Sequence, residues 1–201
     1  GKLRHEAAST SDFPVVGDWV LVEFPEKDDK AIIKHVLPRK TKISRDTGSR
    51  KSLKKITDEQ VVVANVDLIF LVSALDADLN ARRLERYLAL IWDSGASPVL
   101  VLNKADMCEN VEEIVQDVQE VAMGVPVHVM SAVREQGIDE LKQYLQPGKT
   151  IALLGSSGVG KSTIINKLLG EEKFKIAEIG EYKDKGRHTT THREMVMLPD
   201  G

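Results

Sequence analysis

The chain has 201 residues, of which 42% are apolar and 29% charged, a balance that excludes a disordered or collagen-like chain and suits one large domain or two small ones. One cysteine, Cys108, excludes a disulfide framework and a cysteine-based zinc cluster within these residues. The net charge of −3 hides an asymmetry: residues 1–60 carry 13 basic and 10 acidic side chains, and residues 61–201 carry 15 and 21. Within 30–55 there are ten basic residues against one acid, Asp46. A basic front joined to an acidic back predicts two modules, the first meeting a polyanion. No apolar run approaches the about 18 residues of a membrane span, so no membrane association is expected. The first 15 residues hold no apolar signal-peptide core, and a reducing, cytoplasmic setting is the expectation.

In chain order, residues 15–64 read as β. Val15 to Phe24 predicts a strand with Trp19, Leu21 and Glu23 on one face and Val20, Val22 and Phe24 on the other. Lys30–Leu37 is a second strand stopped by Pro38, a short strand follows near 41–45, and Gln60–Ala64 is a fourth. The basic stretch 46–55 between them reads as a mobile loop. Short strands at this spacing predict a small all-β barrel of the OB kind over residues 1–64. From residue 65 the pattern becomes α/β. Apolar runs at 67–72, 97–102, 126–130 and 150–154 are strands buried on both faces. Between and after them lie helical stripes: Leu84, Tyr87, Leu88, Ile91 and Trp92; Val111 to Ala122; Ile138 to Leu145; and Gly160 to Leu169. Asn80 and Gly95 are the caps of the first helix. Strand–helix alternation predicts a parallel sheet covered on both faces.

Gly155-Ser156-Ser157-Gly158-Val159-Gly160-Lys161-Ser162 matches the G-x-x-x-x-G-K-[ST] phosphate loop and lies between a strand and a helix, as that motif requires. Its glycines let backbone N–H groups point inward at an anion, and the helix adds its positive end. Lys161 can reach the β- and γ-phosphates, Ser162 can ligate Mg²⁺, and Thr163 completes the loop. Asn103-Lys104-Ala105-Asp106 ends another buried strand. The Asp106 carboxylate can accept from guanine N1–H and N2–H₂, donors that adenine lacks there, while the Lys104 stem lies over the base. The backbone N–H groups of Ser131 and Ala132 are candidates to meet guanine O6. Together these predict a site for GTP and GDP.

The order of these motifs is itself informative. Base motif, Ser-Ala, phosphate loop and a threonine cluster follow one another, so the domain is circularly permuted, with Gln146–Lys149 as the joining linker. With Pro14-Val15-Val16-Gly17-Asp18, Ala64-Asn65-Val66-Asp67 and Gly186-Arg187-His188-Thr189-Thr190-Thr191 added, the chain resembles the circularly permuted, ribosome small-subunit-dependent GTPases of the YjeQ/RsgA type, over essentially its whole length. The resemblance implies an OB barrel, a permuted P-loop GTPase domain over 65–201, and a role in late maturation of the small (30S) ribosomal subunit through its rRNA. It implies that the chain is a piece of a longer one, with a D-x-x-G and a Zn²⁺-binding domain beyond Gly201, so that this piece alone hydrolyses GTP poorly. His188 is the candidate to orient the attacking water, and Thr190, favoured over Thr189 and Thr191, the candidate switch ligand of Mg²⁺. The alternatives are a nucleotide-sensing RNA-binding module without significant turnover, or a permuted GTPase acting on another ribosomal partner.

Other residues carry plainer expectations. Trp19 and Trp92 read as core. Asp76 and Asp78 read as loop carboxylates capping a helix rather than a metal pair, and Cys108 as an incidental thiol. With no Phe, Tyr or Trp between 25 and 69, RNA contact is expected through phosphates and shape rather than base stacking.

Overall fold

Residues 10–25, 30–46, 59–76, 79–174 and 194–199 are described by the computed structural model. The chain divides between Val66 and Asp67 into two units.

In the first unit β1 (Val20–Glu23) pairs antiparallel with β2 (Ile32–Val36), and β3 (Lys42–Asp46) with β4 (Glu59–Ala64), each pair with one register shift. The four predicted strands are present: β1 and β2 are shorter than expected, β3 is shifted by one residue, and β4 begins one residue earlier. β1 starts at Val20 because Val15 to Asp18 is a turn: Asp18 N–H donates to Val15 O, and Asp18 Oδ2 accepts from Val15 N–H. Gly17 is required in that turn. Its φ is +92°, and an added Cβ would lie 2.0 Å from the Ala64 carbonyl oxygen. Among the described residues the four strands form two separate pairs, and the pairings that would close a barrel are not among them. Ile43, Val61, Ala64 and Val66 are buried. Trp19, expected in the core, is 72% exposed instead. A two-stranded ribbon cannot bury both its faces, and Leu21, Val22 and Phe24 beside Trp19 are exposed for the same reason.

What fixes the start of this unit is an ion pair. Arg39 Nε and Nη2 each donate to an Asp18 carboxylate oxygen at 2.7 Å, and the same guanidinium donates to the carbonyls of Ser11 and Phe13. The Asp18 side chain is 1% exposed. Burial pushes its pKa up, but the Arg39 hydrogen bond, the Val15 amide and the Arg39 charge outweigh that and hold it below the usual carboxylate value.

The second unit is a parallel sheet of β5 (Leu68–Ala74), β6 (Ser97–Asn103), β7 (Val127–Val129) and β8 (Ile151–Leu154), in spatial order β7-β6-β5-β8. The helices are α1 (Ala81–Ser94), α2 (Val111–Val121), α3 (Ile138–Lys142) and α4 (Lys161–Leu169). The α1 caps follow the sequence: Asn80 Oδ1 accepts from Arg83 N–H, and Gly95, at φ 83°, donates to Trp92 O. Trp92 is a correction. It is 56% exposed, because the buried stripe is Leu84, Leu88 and Ile91 and the next residue along a helix turns about 100° away. The stripe through Leu145 is also broken: α3 ends at Lys142, and Tyr144 and Leu145 bond three residues back, in single turns.

Side-chain alternation divides the core. Phe70, Val72, Ala74, Val99 and Val101 pack with Ile138 and Leu141 of α3 and Ile164 of α4. The alternate residues Ile69, Leu71, Leu100 and Leu102 are equally buried on the opposite face, where α1 covers β5 and β6 and packs on α2. The chain walks outward from β5 to β6 to β7, then returns across β5 to β8. The reversal reverses the side on which right-handed crossovers lie, which places α3 opposite α1 and α2. Strand ends β5 and β8 flank the switch point, the place where open α/β sheets bind ligands.

Removing one partner of the buried pair leaves an uncompensated charge, so Arg39→Met is expected to destabilise the first unit by about 3–5 kcal/mol in urea unfolding. In the wild type the Asp18 contribution is fully present above the unfolded carboxylate pKa and is lost as pH falls through its lower folded value. Unfolding curves of Arg39→Met that coincide with wild type would disprove the role of the pair.

Candidate functional site

Four loops leave the C-terminal ends of the parallel strands, and three of them carry predicted site residues. Gly155 to Gly160 link β8 to α4. Gly155 is small because the loop starts beside β5: an added Cβ would lie 2.1 Å from Val72 O. Gly158, at φ 80°, faces open space and supplies conformation alone. Val159 is buried in the core beneath the loop, while Ser157 and Gly158 are exposed. Lys161, Ser162 and Thr163 form the first turn of α4, half-buried, where an α-helix has N–H groups that it cannot use internally.

The Lys161 ammonium donates to Gly155 O at 3.0 Å and Ser156 O at 2.6 Å, so its stem arches over the loop. Burial lowers its pKa from the usual lysine value. Among the described residues no group of three His, Cys, Asp or Glu is placed to hold a metal. A donor set of one hydroxyl, Ser162, at a phosphate-binding helix start nevertheless fits Mg²⁺. That ion keeps waters and is held by few protein groups together with substrate phosphates.

Asn103, the last residue of β6, is 3% exposed. Its Nδ2 donates to Val159 O at 2.9 Å, and its Oδ1 accepts from Ala132 N–H at 3.0 Å. One buried amide thus joins the base-motif strand to the phosphate loop and to the Ser-Ala turn. Lys104 follows in the left-handed region, φ 67°, which few non-glycine residues adopt. Its ammonium lies 3.5 Å from Asp76, the carboxylate just beyond β5. Asp76 thus pairs with the base motif, while Asn80 caps the helix.

Asp106 is fixed by Ser131, whose fully buried hydroxyl donates to Oδ1 at 2.6 Å. That bond is the leading cause of a lowered Asp106 pKa. Desolvation opposes it, and the Asp106 backbone amide and the charges of Arg134 and Lys104 assist. The Ser131 and Ala132 N–H groups, expected to face guanine O6, have acceptors here in Gln136 O and Asn103 Oδ1. Sequence reading missed the bridging role of Asn103 and the use of Ser131 through its hydroxyl. A signal existed: a lone polar residue ending the apolar run Pro98 to Leu102 must find partners when buried. His188, Thr189, Thr190 and Thr191, like Asp78, lie outside the described residues.

A parallel sheet with a glycine-rich loop running into a helix, and an N-K-x-D turn two strands away, defines a P-loop nucleotide-binding domain. A sequence model of the RsgA GTPase family matches residues 36–201. Over 201 residues the chain is 46% identical to a protein of Lactiplantibacillus plantarum named small ribosomal subunit biogenesis GTPase RsgA 2, covering all of this chain and 55% of that one. It is 48% identical over 189 residues to a protein of Methanosarcina acetivorans with the same name but no number, covering 94% and 50%. The crystal structure of YjeQ from Thermotoga maritima superposes with a TM-score of 0.60 at 29% identity, covering 83% of this chain and 53% of that one. YloQ, described as a circularly permuted GTPase, gives 0.53 at 22% identity over 78% and 50%, a likeness of fold. The chain belongs to the RsgA GTPase family, and it spans about half the length of the curated relatives it matches.

Gly160 has φ 99°, and an added Cβ would lie 2.2 Å from Asn103 Nδ2. Gly160→Ala therefore displaces the amide that ties the loops together, besides straining the backbone by about 1–3 kcal/mol. The expected result is a loss of GDP affinity of tenfold or more by calorimetry, about 1.4 kcal/mol. Gly158→Ala, strained at its backbone but with open space around it, is expected to lose less. Equal losses would remove the steric argument.

Proposed function

We propose that the protein containing this chain binds guanine nucleotide with Mg²⁺, hydrolyses GTP to GDP and phosphate, and assists maturation of the small ribosomal subunit by binding its rRNA. The observation that carries this reading is the Asn103 amide, which holds a base-reading carboxylate and a phosphate loop in one frame. The family and the names of its relatives point the same way.

In this reading Asp106, ionised and aimed by Ser131, accepts from guanine N1–H and N2–H₂. Adenine leaves the carboxylate without those donors, which penalises ATP. Two of the three Lys161 ammonium protons have loop acceptors, and the third is available to a phosphate oxygen. Ser162, with Thr190 as the second candidate ligand, would hold Mg²⁺, which would supply charge neutralisation on the nucleotide phosphates. Water adds to the γ-phosphorus as its bond to the bridging oxygen breaks. His188 is assigned to orient that water and Thr190 to complete the switch. Zn²⁺ belongs to the further domain that the resemblance implies, and the setting is the cytoplasm.

Residues 1–64 act as an OB-like module that meets rRNA phosphates. Not every basic residue in 30–55 serves: Arg39 is held by Asp18, and Lys34 pairs with Glu23. The exposed Lys40 is a better candidate.

Two measurements test this. Asp106→Asn loses charge-assisted hydrogen bonds worth about 1.5–3 kcal/mol each and is expected to weaken GDP while gaining relative affinity for xanthosine diphosphate. Unchanged GDP affinity would sink the base assignment. For RNA, log affinity is expected to fall linearly with log salt, and Lys40→Gln to reduce the slope by about 0.7–0.9. A slope untouched by Lys40→Gln would remove that residue from the interface, and salt-independent binding would exclude backbone recognition.

A further inference from the structure

One face of the β1–β2 ribbon has no role in the site described so far. Leu37 N–H donates to Trp19 O at 2.8 Å, and Leu21 lies opposite His35. Alternation along each strand therefore puts Trp19, Leu21, His35 and Leu37 on the same face. All four are exposed, Trp19 at 72%, Leu21 at 53% and Leu37 at 39%. Val20 and Val36, on the other face, are half-buried. The solvated face of an antiparallel sheet is ordinarily polar, and an indole with two leucines in water gives the fold little burial energy. The residue types on this face are not explained by packing.

The end of the ribbon that carries Trp19 is held still. Asp18, its neighbour in sequence, is buried and bonded to Arg39, and Arg39 lies just beyond Leu37 and Pro38 on the other strand. The ion pair thus closes the end where Trp19 and Leu37 meet, and little ordering is left for a ligand to impose. Lys40 follows, its N–H bonded to Asn65 Oδ1 at 2.8 Å and the residue itself exposed. Glu23, farther along β1, is paired with Lys34. Ten basic residues against one acid in 30–55 make the surrounding charge positive. An apolar protein surface would match the leucines but not that charge. A nucleotide with an unstacked base matches both, because every base has a π-face and carries a phosphate beside it.

We propose that this face binds an unpaired RNA base: the Trp19 indole stacks on it, Leu21 and Leu37 extend the apolar surface, and Lys40 serves the adjoining phosphate. This rests on the RNA-binding reading of residues 1–64 and changes its kind. The lack of aromatic residues between 25 and 69 removed stacking only while Trp19 was counted as core. Bases inside a duplex have both faces covered by their neighbours, so the contact selects single-stranded over double-stranded RNA.

The test uses the full-length protein, with a labelled single-stranded oligouridylate and a hairpin duplex RNA of the same length as probes. Trp19→Leu, which keeps apolar bulk and removes the aromatic plane, is expected to weaken oligouridylate binding about 5- to 150-fold, and Trp19→Phe to lose less. Duplex affinity is expected to stay near wild type. The slope of log affinity against log salt is expected to be unchanged in Trp19→Leu, because the lost contact carries no charge. Oligouridylate is also expected to quench tryptophan fluorescence in wild type and in Trp92→Phe, where Trp19 is still present. Unchanged oligouridylate affinity in Trp19→Leu, or an equal loss on both probes, overturns the proposal. Absence of the quench in Trp92→Phe overturns it even where Trp19→Leu fails to fold. A Trp19-dependent dimer in sedimentation, with RNA affinity unchanged, assigns the face to a second copy and also overturns it. Wild-type protein that binds the duplex alone overturns the stacking proposal and leaves the RNA reading standing, whereas binding of neither probe overturns both.

Discussion

One buried carboxamide holds the loops of the candidate nucleotide site together. Asn103 sits at the end of the central strand β6 with its side chain out of water, and a buried amide left unsatisfied costs on the order of 1–3 kcal/mol for each group. Its two bonds go to different loops, so satisfying the amide fixes the distance between the phosphate loop and the Ser-Ala turn. Other features follow from it. Gly160 has no room for a side chain because Asn103 Nδ2 occupies it. Val159 must present its carbonyl to the amide, and its side chain is buried in the core beneath. Lys104 takes the left-handed conformation in the same turn that brings Asp106 to the Ser131 hydroxyl.

The permuted order of motifs is compatible with this because the site is made from strand ends and not from strand order. β5 pairs with β6 on one side and β8 on the other, so all of the ligand loops leave the same edge of one sheet. At the opposite edge the chain must be joined between α3 and β8, and Asp67 secures the join. Its Oδ2 accepts from Thr150 N–H, and its Oδ1 lies 3.2 Å from the Lys149 ammonium. The first residue of the second unit is thus bonded to the linker that makes the permutation possible.

Legibility from sequence followed burial. Strands β5, β6 and β8 were readable because short continuous apolar runs between turn signals suit strands buried on both faces, and the α1 caps because Asn80 and Gly95 stand where a stripe begins and ends. Trp19 and Trp92 misled because large apolar residues were assigned to the core by type, whereas their exposure depends on which neighbours the fold supplies. α3 read too long because Tyr144 and Leu145 continue an apolar spacing that the backbone abandons. In the site, the residues of the loops were legible as motifs, but their partners were not. Hydrogen bonds such as Ser131 to Asp106 and Asn103 to Val159 join residues whose separation in sequence carries no periodic signal. What sequence did offer was a buried polar residue among apolar ones, a question without its answer.

Two kinds of tie connect the base-reading half of the site to the phosphate half, and their magnitudes differ. Lys167 on α4 pairs with Glu135 in the loop after β7 at 2.7 Å, with both side chains solvent-accessible. Pairs of that kind contribute about 0–1 kcal/mol and are screened by salt. Asn103 is buried, its bonds run to backbone groups, and salt does not reach it. In the proposed guanine-nucleotide site, registration of the base against the phosphates therefore rests on Asn103 more than on the ion pair. In the proposed reading a wrong base leaves Asp106 unpaired in a turn whose neighbour, Asn103, also holds the phosphate loop, so the two recognitions share one buried support.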